Sequence, residues 1–273
     1  MKRMLSKLRN HRGISLVEML IALGLTGIVS ASVLKAYMTQ HKNYMIQDDI
    51  TTIQQNARAS IDELSRQLRM AGYALPLGLP SIGASNTNPD TITITYHDDG
   101  CDTYLADAMP QPSSELKCAT DVSCFYDGQW VFIFEPDSGG GEFFEITHVQ
   151  EDAIHLQHNT MTLSRRYGKD AQILSLSQLK FYIDYTNKLH PNLMLKLVGR
   201  PAQVYAENIS DLQFQYKLVD GSIVDVPIAV DEVREVIMTV TGRSNMPDPD
   251  RPEDEKYRLR TYTTSVALRN VGV

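Results

Sequence analysis

Three cysteines in 273 residues, Cys101, Cys118 and Cys124, are too few to build a disulfide scaffold. Sixteen and then five residues separate them, which matches no usual zinc pattern. No proline occurs between Met1 and Leu75, so nothing in the covalent chain breaks a helix there. Residues 1–13 contain no acid but carry Lys2, Arg3, Lys7, Arg9 and Arg12. The remainder then holds 21 basic and 33 acidic residues, a formal charge of −12, and a body so charged is not a phosphate-binding partner of nucleic acid. There is no internal repeat, no helix–strand alternation of a doubly wound domain and no nucleophile-elbow pattern. With 42% hydrophobic residues and a pI near 5.5, the chain is neither disordered nor a polytopic membrane protein, and its length suggests one or two domains.

What the N-terminus does contain is an apolar run of 21 residues, Ile14 to Leu34, interrupted by the single charge of Glu18. At 1.5 Å per residue it is about 31 Å long, enough to cross a bilayer's hydrocarbon. The basic flank stays in the cytoplasm and sends everything after Lys35 outside. Three readings compete. A secretory signal would use Val29-Ser30-Ala31 as its cleavage site, but the apolar core is too long for one and carries a charge. A plain anchor explains the length and leaves Glu18 as a cost of about 2.5 to 3.5 kcal/mol. In the third, cleavage after Gly13 makes Ile14 a new α-amine and Glu18 the fifth residue, so offset neighbouring helices pair the amine of one with the carboxylate of the next.

The run Gly13-Ile14-Ser15-Leu16-Val17-Glu18-Met19-Leu20 resembles the prepilin motif of the type IV pilin family: a basic leader, Gly, an apolar residue, Thr or Ser, then an aliphatic pair and Glu before an apolar helix. Ile14 stands where phenylalanine is commoner. The resemblance implies cleavage between Gly13 and Ile14 by a prepilin peptidase, N-methylation of Ile14, and a subunit-pairing role for Glu18.

Further on, Ile50, Ile53, Ala57, Ile61, Leu64, Leu68 and Ala71 fall within roughly 80° of one helix face. Arg58, Asp62 and Arg66 lie opposite at i,i+4 spacing. Gly72, Pro76, Gly78 and Pro80 end the helix, which runs for about 87 Å from Ile14 to Ala71. From periodicity alone, a coiled-coil stalk on an anchor is the alternative. The segment Gln54 to Tyr73, closing in Leu68-Arg69-Met70-Ala71-Gly72-Tyr73, is similar to the helix end of PilW-type minor pilins, and Val266-Ala267-Leu268-Arg269-Asn270 is similar to their C-terminus.

Residues 73–273 read as β-rich. Strands are expected at 91–96, 129–135, 142–149, 153–158, 179–185, 193–198, 211–218, 232–241 and 257–268, mostly alternating runs bounded by turn residues. Trp130, Phe132 and Phe134 face one way and Val131 and Ile133 the other, so that strand is expected to be covered on both faces. Asp220-Gly221 signals a hairpin. Ser138-Gly139-Gly140-Gly141 lacks the Lys-Ser/Thr of a phosphate loop and reads as a turn. His148, His155 and His158, with Glu145 and Glu151, raise a metal site, but His155 and His158 sit on opposite faces, so solvated strand histidines are preferred. The acidic loop with Asp248, Asp250, Glu253 and Asp254 offers oxygens to Ca²⁺, while three prolines and a missing glycine favour a solvated loop. One disulfide is expected outside the cytoplasm, between the two cysteines nearest in sequence, Cys118 and Cys124, with Cys101 as competitor.

The expected architecture is α+β, a long N-terminal helix packed on a β-rich head in the type IV pilin manner. It divides into a leader (1–13), a helix (14–72; 14–35 transmembrane or filament core, 36–72 amphipathic) and a periplasmic head (73–273). No catalytic constellation, metal or cofactor is read. The resemblance implies a minor pilin that helps initiate a type IV pilus and sits at its tip, held in the inner membrane before assembly and then on the cell surface. The partners it implies are prepilin peptidase, other minor pilins, the major pilin, the inner-membrane assembly platform and, as a further candidate, a large tip adhesin. A J-type pseudopilin of type II secretion is the alternative of the same class. A membrane-tethered periplasmic enzyme or metal-binding protein is the alternative of another.

Overall fold

The computed structural model describes residues 15–76, 78–97, 100–136, 140–248, 250–252 and 255–271. One α-helix, α1, runs from Leu16 to Met70, as the absence of proline permits. The chain divides after Asp49 into two compact units. The first contains residues 16–49 of α1, whose large apolar side chains, among them Leu16, Leu20, Leu23, Ile28 and Leu34, are exposed. The second begins at Ile50 and contains the rest of α1 with the β-rich body.

Sixteen strands are present among the described residues. In chain order they are β1 (Ile82–Ser85), β2 (Thr91–Tyr96), β3 (Asp102–Tyr104), β4 (Leu116–Lys117), β5 (Trp130–Phe134), β6 (Gly141–Glu145), β7 (His148–Gln150) and β8 (His155–Gln157). They continue with β9 (Gln172–Leu174), β10 (Ser177–Asp184), β11 (Asn192–Leu197), β12 (Gln203–Glu207), β13 (Ile209–Leu218), β14 (Ile223–Val224), β15 (Val233–Arg243) and β16 (Leu259–Ala267). All pair antiparallel, in four sheets ordered β1-β2-β10-β11-β12, β14-β13-β15-β16, β3-β9-β5-β6 and β4-β8-β7.

The first two sheets and the end of α1 share one core. Ala57, Leu64 and Leu68 from the helix, with Ala71 just after it, meet Ile92, Ile94 and Phe181 from one sheet and Leu212, Phe214, Val236, Met238 and Val240 from the other. Each fully buried Leu or Ile contributes about 1.5–3 kcal/mol. Of the seven residues in the expected stripe, Ile53, Ala57, Leu64, Leu68 and Ala71 are buried, while Ile50 and Ile61 are half-buried. Ser60, Ser65 and Gln67 widen the buried face. Ser60 satisfies its hydroxyl on the Asn56 carbonyl at 2.7 Å, and Gln67 receives the Tyr96 hydroxyl at 3.1 Å.

Between neighbouring strands β2 and β10 the chain makes a long excursion with a core of its own. Val131, Ile133, Phe144, Leu156 and Ile173 are among its fully buried residues. The β5 alternation is as expected: Val131 and Ile133 enter this core, while Phe132 and Phe134 join Leu75, Leu79, Leu174 and Leu176 on the other side. At the root of the excursion, Ser175 takes the Gln129 amide on its hydroxyl at 2.9 Å, and its carbonyl lies 2.7 Å from His97 Nδ1.

The disulfide differs from the expected pairing. Cys101 and Cys124 are bridged, with Cα atoms 5.8 Å apart, and Cys118 is free and buried. Nearness in sequence loses to strand geometry here. Cys118 is held opposite Leu105 by a β-bridge, and its side chain lies in the core of the excursion. Burial pushes its thiol up to about 12.

Candidate functional site

The apolar half of α1 is long and apolar enough to cross a bilayer. Three of its hydroxyls bond within the helix: Thr26 donates to the Ala22 carbonyl (2.7 Å), Ser32 to Ile28 (2.8 Å) and Thr39 to Lys35 (3.0 Å). Polar groups so satisfied are cheap to hold in hydrocarbon. Among the described residues, Glu18 accepts from the Ser15 backbone N–H at 3.4 Å. That is a long contact at a helix N-terminus, where a carboxylate is favoured by the exposed amides. Gly13 and Ile14, the expected processing residues, lie outside the described residues.

Towards its C-terminal end the helix approaches β15 closely. A Cβ added at Gly242 would lie 2.6 Å from Ile53 Cγ2 and 3.6 Å from Ala57 Cβ, so the small residue lets helix and strand meet. Arg58 lies over the Tyr262 ring of β16 at 5.8 Å, and the Asn56 amide donates to the Glu207 carbonyl at 3.1 Å.

The helix ends in a joint between residues 69–73 and Asn270. Gly72 has φ +76°, the left-handed conformation that closes many helices. Its N–H donates to the Thr95 carbonyl at 3.0 Å, and Tyr73 N–H donates to Met70 at 2.9 Å. Asn270 Nδ2 donates to the Arg69 carbonyl at 3.2 Å. A Cβ on Gly72 would come within 2.5 Å of the Asn270 carbonyl oxygen. The Ala-Gly-Tyr and Leu-Arg-Asn segments, separate marks in the sequence, thus form one contact. Sequence reasoning had the residues and not the contact, and the role of Gly242 went unread.

The other residues singled out in the sequence do not converge. The hairpin turning at Glu151-Asp152 forms, with His148 opposite Gln157 and His155 opposite Gln150. His148 Nδ1 is 3.1 Å from Asp127 Oδ2, and His155 Nδ1 is 3.5 Å from Glu115 Oε2. The His148 contact, with the Val149 N–H, holds the Asp127 carboxyl below the usual carboxylate range. His158 is not solvated as expected. It is buried, with Nδ1 2.9 Å from the Met161 carbonyl and Nε2 2.8 Å from that of Ser114. In the acidic loop Asp248 is buried, and Arg258 grips its Oδ2 from Nη2 at 2.6 Å and from Nε at 3.1 Å. Asp250 is exposed, and Glu253 and Asp254 lie outside the described residues. Of the glycine run, Ser138 and Gly139 lie outside them too, Gly140 accepts from Arg165, and Gly141 opens β6.

Residues 8–34 match the family model of the prokaryotic N-terminal methylation motif, a span that includes Gly13, Ile14 and Glu18. The match supports a type IV pilin-like or pseudopilin protein, and such proteins are structural subunits. It implies processing by prepilin peptidase and assembly with other pilins, and the apolar helix fits a single-pass anchor. A comparison with curated proteins gives no match.

Proposed function

We propose that this chain is a PilW-type minor pilin that takes part in initiating type IV pilus assembly and sits at or near the filament tip. The observation that carries the reading is a methylation motif heading an exposed apolar helix, whose end is built into a β-rich body. Processing between Gly13 and Ile14, with methylation of Ile14, leaves Glu18 as the fifth residue of the mature chain, four positions from a charged amine. In a filament core of low dielectric that carboxylate is the partner for a neighbour's amine. Before assembly the subunit waits in the inner membrane with its head in the periplasm. Contact with sister minor pilins, the major pilin, the assembly platform and a large tip adhesin belongs to the same reading.

The tip follows from size. A head of roughly 200 residues has a radius of gyration near 17 Å, too bulky for the small axial steps of a helical shaft, and at the tip nothing lies above it. A J-type pseudopilin shares the motif and the helix; the joint between Gly72 and Asn270 favours the PilW type. The test has two parts. Mass analysis of the membrane protein is expected to find an N-terminal, methylated Ile14, and a terminus at Ser32 overturns the processing. Immunogold labelling of intact pili is expected to mark ends at low copy number, and labelling along the shaft at near-equal abundance to the major subunit overturns the location.

A further inference from the structure

The face of the five-stranded sheet turned away from α1 carries two lysines side by side. Leu179, Phe181 and Ile183 of β10 enter the core shared with the helix, so Lys180 and Tyr182 belong to the other face. The strand register sets Lys180 directly opposite Lys196 of β11 and, on its other flank, opposite Thr93 of β2. Both lysines are exposed. The Cα atoms of residues so opposed are about 4.5–5.5 Å apart, and like charges in that position destabilise a sheet.

A chain rich in acids has the means to neutralise such a pair and does not use them. Outside residues 1–13 the formal charge is −12, yet among the described residues no ion pair reaches Lys180 or Lys196. The carboxylate further along β10, Asp184, is engaged at the end of its own strand, where Oδ1 accepts the Thr186 N–H at 2.8 Å and the Thr186 hydroxyl at 2.6 Å. Lys180 Nζ lies instead 5.9 Å from the centre of the Tyr182 ring, a neutral partner that attracts a cation and leaves its charge in place.

Beside the pair is a cavity of about 340 Å³, near the small end of ligand pockets. Lys180, Lys196, Tyr182, Thr87 and Thr91 supply the polar side chains of its wall, and no acid lines it. Ammonium groups and hydroxyls all donate hydrogen bonds; Thr87 Oγ1 gives its own to the Pro89 carbonyl at 2.7 Å. We propose that this cavity binds a doubly charged oxyanion group, phosphate or sulfate, free or carried on a small molecule, with Lys180 and Lys196 balancing its charge and the Thr91 and Tyr182 hydroxyls as further donors. Two ammonium groups match two negative charges, and an anion set between them replaces a repulsion by two charge-assisted contacts. Exposed charges are screened by salt, so the affinity belongs to the weak range, a Kd of about 0.1–1 mM at low ionic strength.

The test uses the full chain in detergent, titrated by calorimetry with inorganic phosphate and, separately, with a hexose phosphate, the bare hexose serving as uncharged control and NaCl holding the ionic strength constant. Thermal unfolding is followed in parallel. Saturable binding at one site and a raised Tm are expected with phosphate, and no binding of the bare hexose. Equal affinity for the two charged probes assigns the free anion as ligand; tighter binding of the hexose phosphate assigns the carried group. Lys180→Gln and Lys196→Gln are each expected to weaken binding about tenfold or more and to leave the anion-free Tm unchanged or higher, since each relieves the repulsion. Lys169→Gln, at an exposed position in the excursion, is expected to bind as the parent does. Absence of saturable binding of both charged probes up to about ten times the stated range, binding indifferent to Lys180→Gln and Lys196→Gln, equal loss with Lys169→Gln, or an anion-free Tm lowered by both lysine variants would each overturn the assignment.

Discussion

Asn270 donates from Nδ2 to the carbonyl oxygen of Arg69 at 3.2 Å, across 201 residues of sequence. The bond satisfies one of the carbonyls that every helix leaves unpaired in its last turn, and the backbone of Asn270 packs where Gly72 has no side chain.

Replacing Asn270 by Ala removes that bond and is expected to cost about 1 kcal/mol. Gly72→Ala adds a Cβ both to a left-handed backbone and against a carbonyl oxygen, so it is expected to cost about 2–4 kcal/mol. Thermal unfolding of the two single variants and the double variant measures their coupling. Strict additivity would show that the two residues do not act as one joint.

The contact between Gly242 and Ile53 predicts a compensating pair. Gly242→Ala forces its Cβ onto the isoleucine methyl, an overpacking cost of about 1–3 kcal/mol, and Ile53→Ala alone leaves a hole costing about 2–5 kcal/mol. The double variant is expected to be less destabilised than the sum, because the new methyl occupies part of the vacated space. A sum or worse in denaturant unfolding would place the strain elsewhere.

Thiol chemistry should separate the three cysteines. Non-reducing peptide mapping is expected to recover Cys101 linked to Cys124, and Cys101→Ser or Cys124→Ser is expected to lose about 3 kcal/mol by the loop-entropy estimate, whereas Cys118→Ser keeps the bridge. Cys118, buried with its thiol pushed up to about 12, should resist alkylation at pH 8 until the chain unfolds. The sign of its pH effect follows. An unfolded thiol ionises at about pH 8.5, so the stabilising contribution is whole below that pH and is lost as pH rises towards 12. Native-state alkylation of Cys118 at the rate of a free peptide would contradict the burial.

Glu18→Ala is expected to leave membrane insertion intact, since removing a charge makes an apolar helix cheaper to hold in lipid. Entry into filaments is expected to fall, as a neighbouring amine loses its partner. Wild-type incorporation of the variant, measured by subunit composition of purified pili, would remove the proposed role of Glu18.

The long elements were legible because each carries its own signal. The helix shows in the missing proline and the stripe from Ile53 to Ala71, and the strand at 91–96 falls where its alternation says. β1, β3, β4, β9, β12 and β14 run two to five residues each, and partners stabilise them more than composition does. The expected strand at 142–149 is really two, β6 and β7, in different sheets, a break that apolar content at Ile146 conceals. The leader and Glu18 were readable as a motif because they are local. The lysine pair was not, since Lys180 and Lys196 meet only through the register of β10 with β11.

The excursion between β2 and β10 departs after Tyr96 and returns at Ser177, and those two residues face each other in the sheet register. Its entrance and exit are therefore adjacent, and the five-stranded sheet keeps the same pairings whatever spans the gap. Such a doorway lets natural variation exchange the outer lobe for another while the helix docking stays fixed. It also marks a place where a reporter domain with close termini, or a short turn, can be grafted. The adjustment then falls on Leu75 and Leu79, which pack on the cluster of Phe134, Leu174 and Leu176.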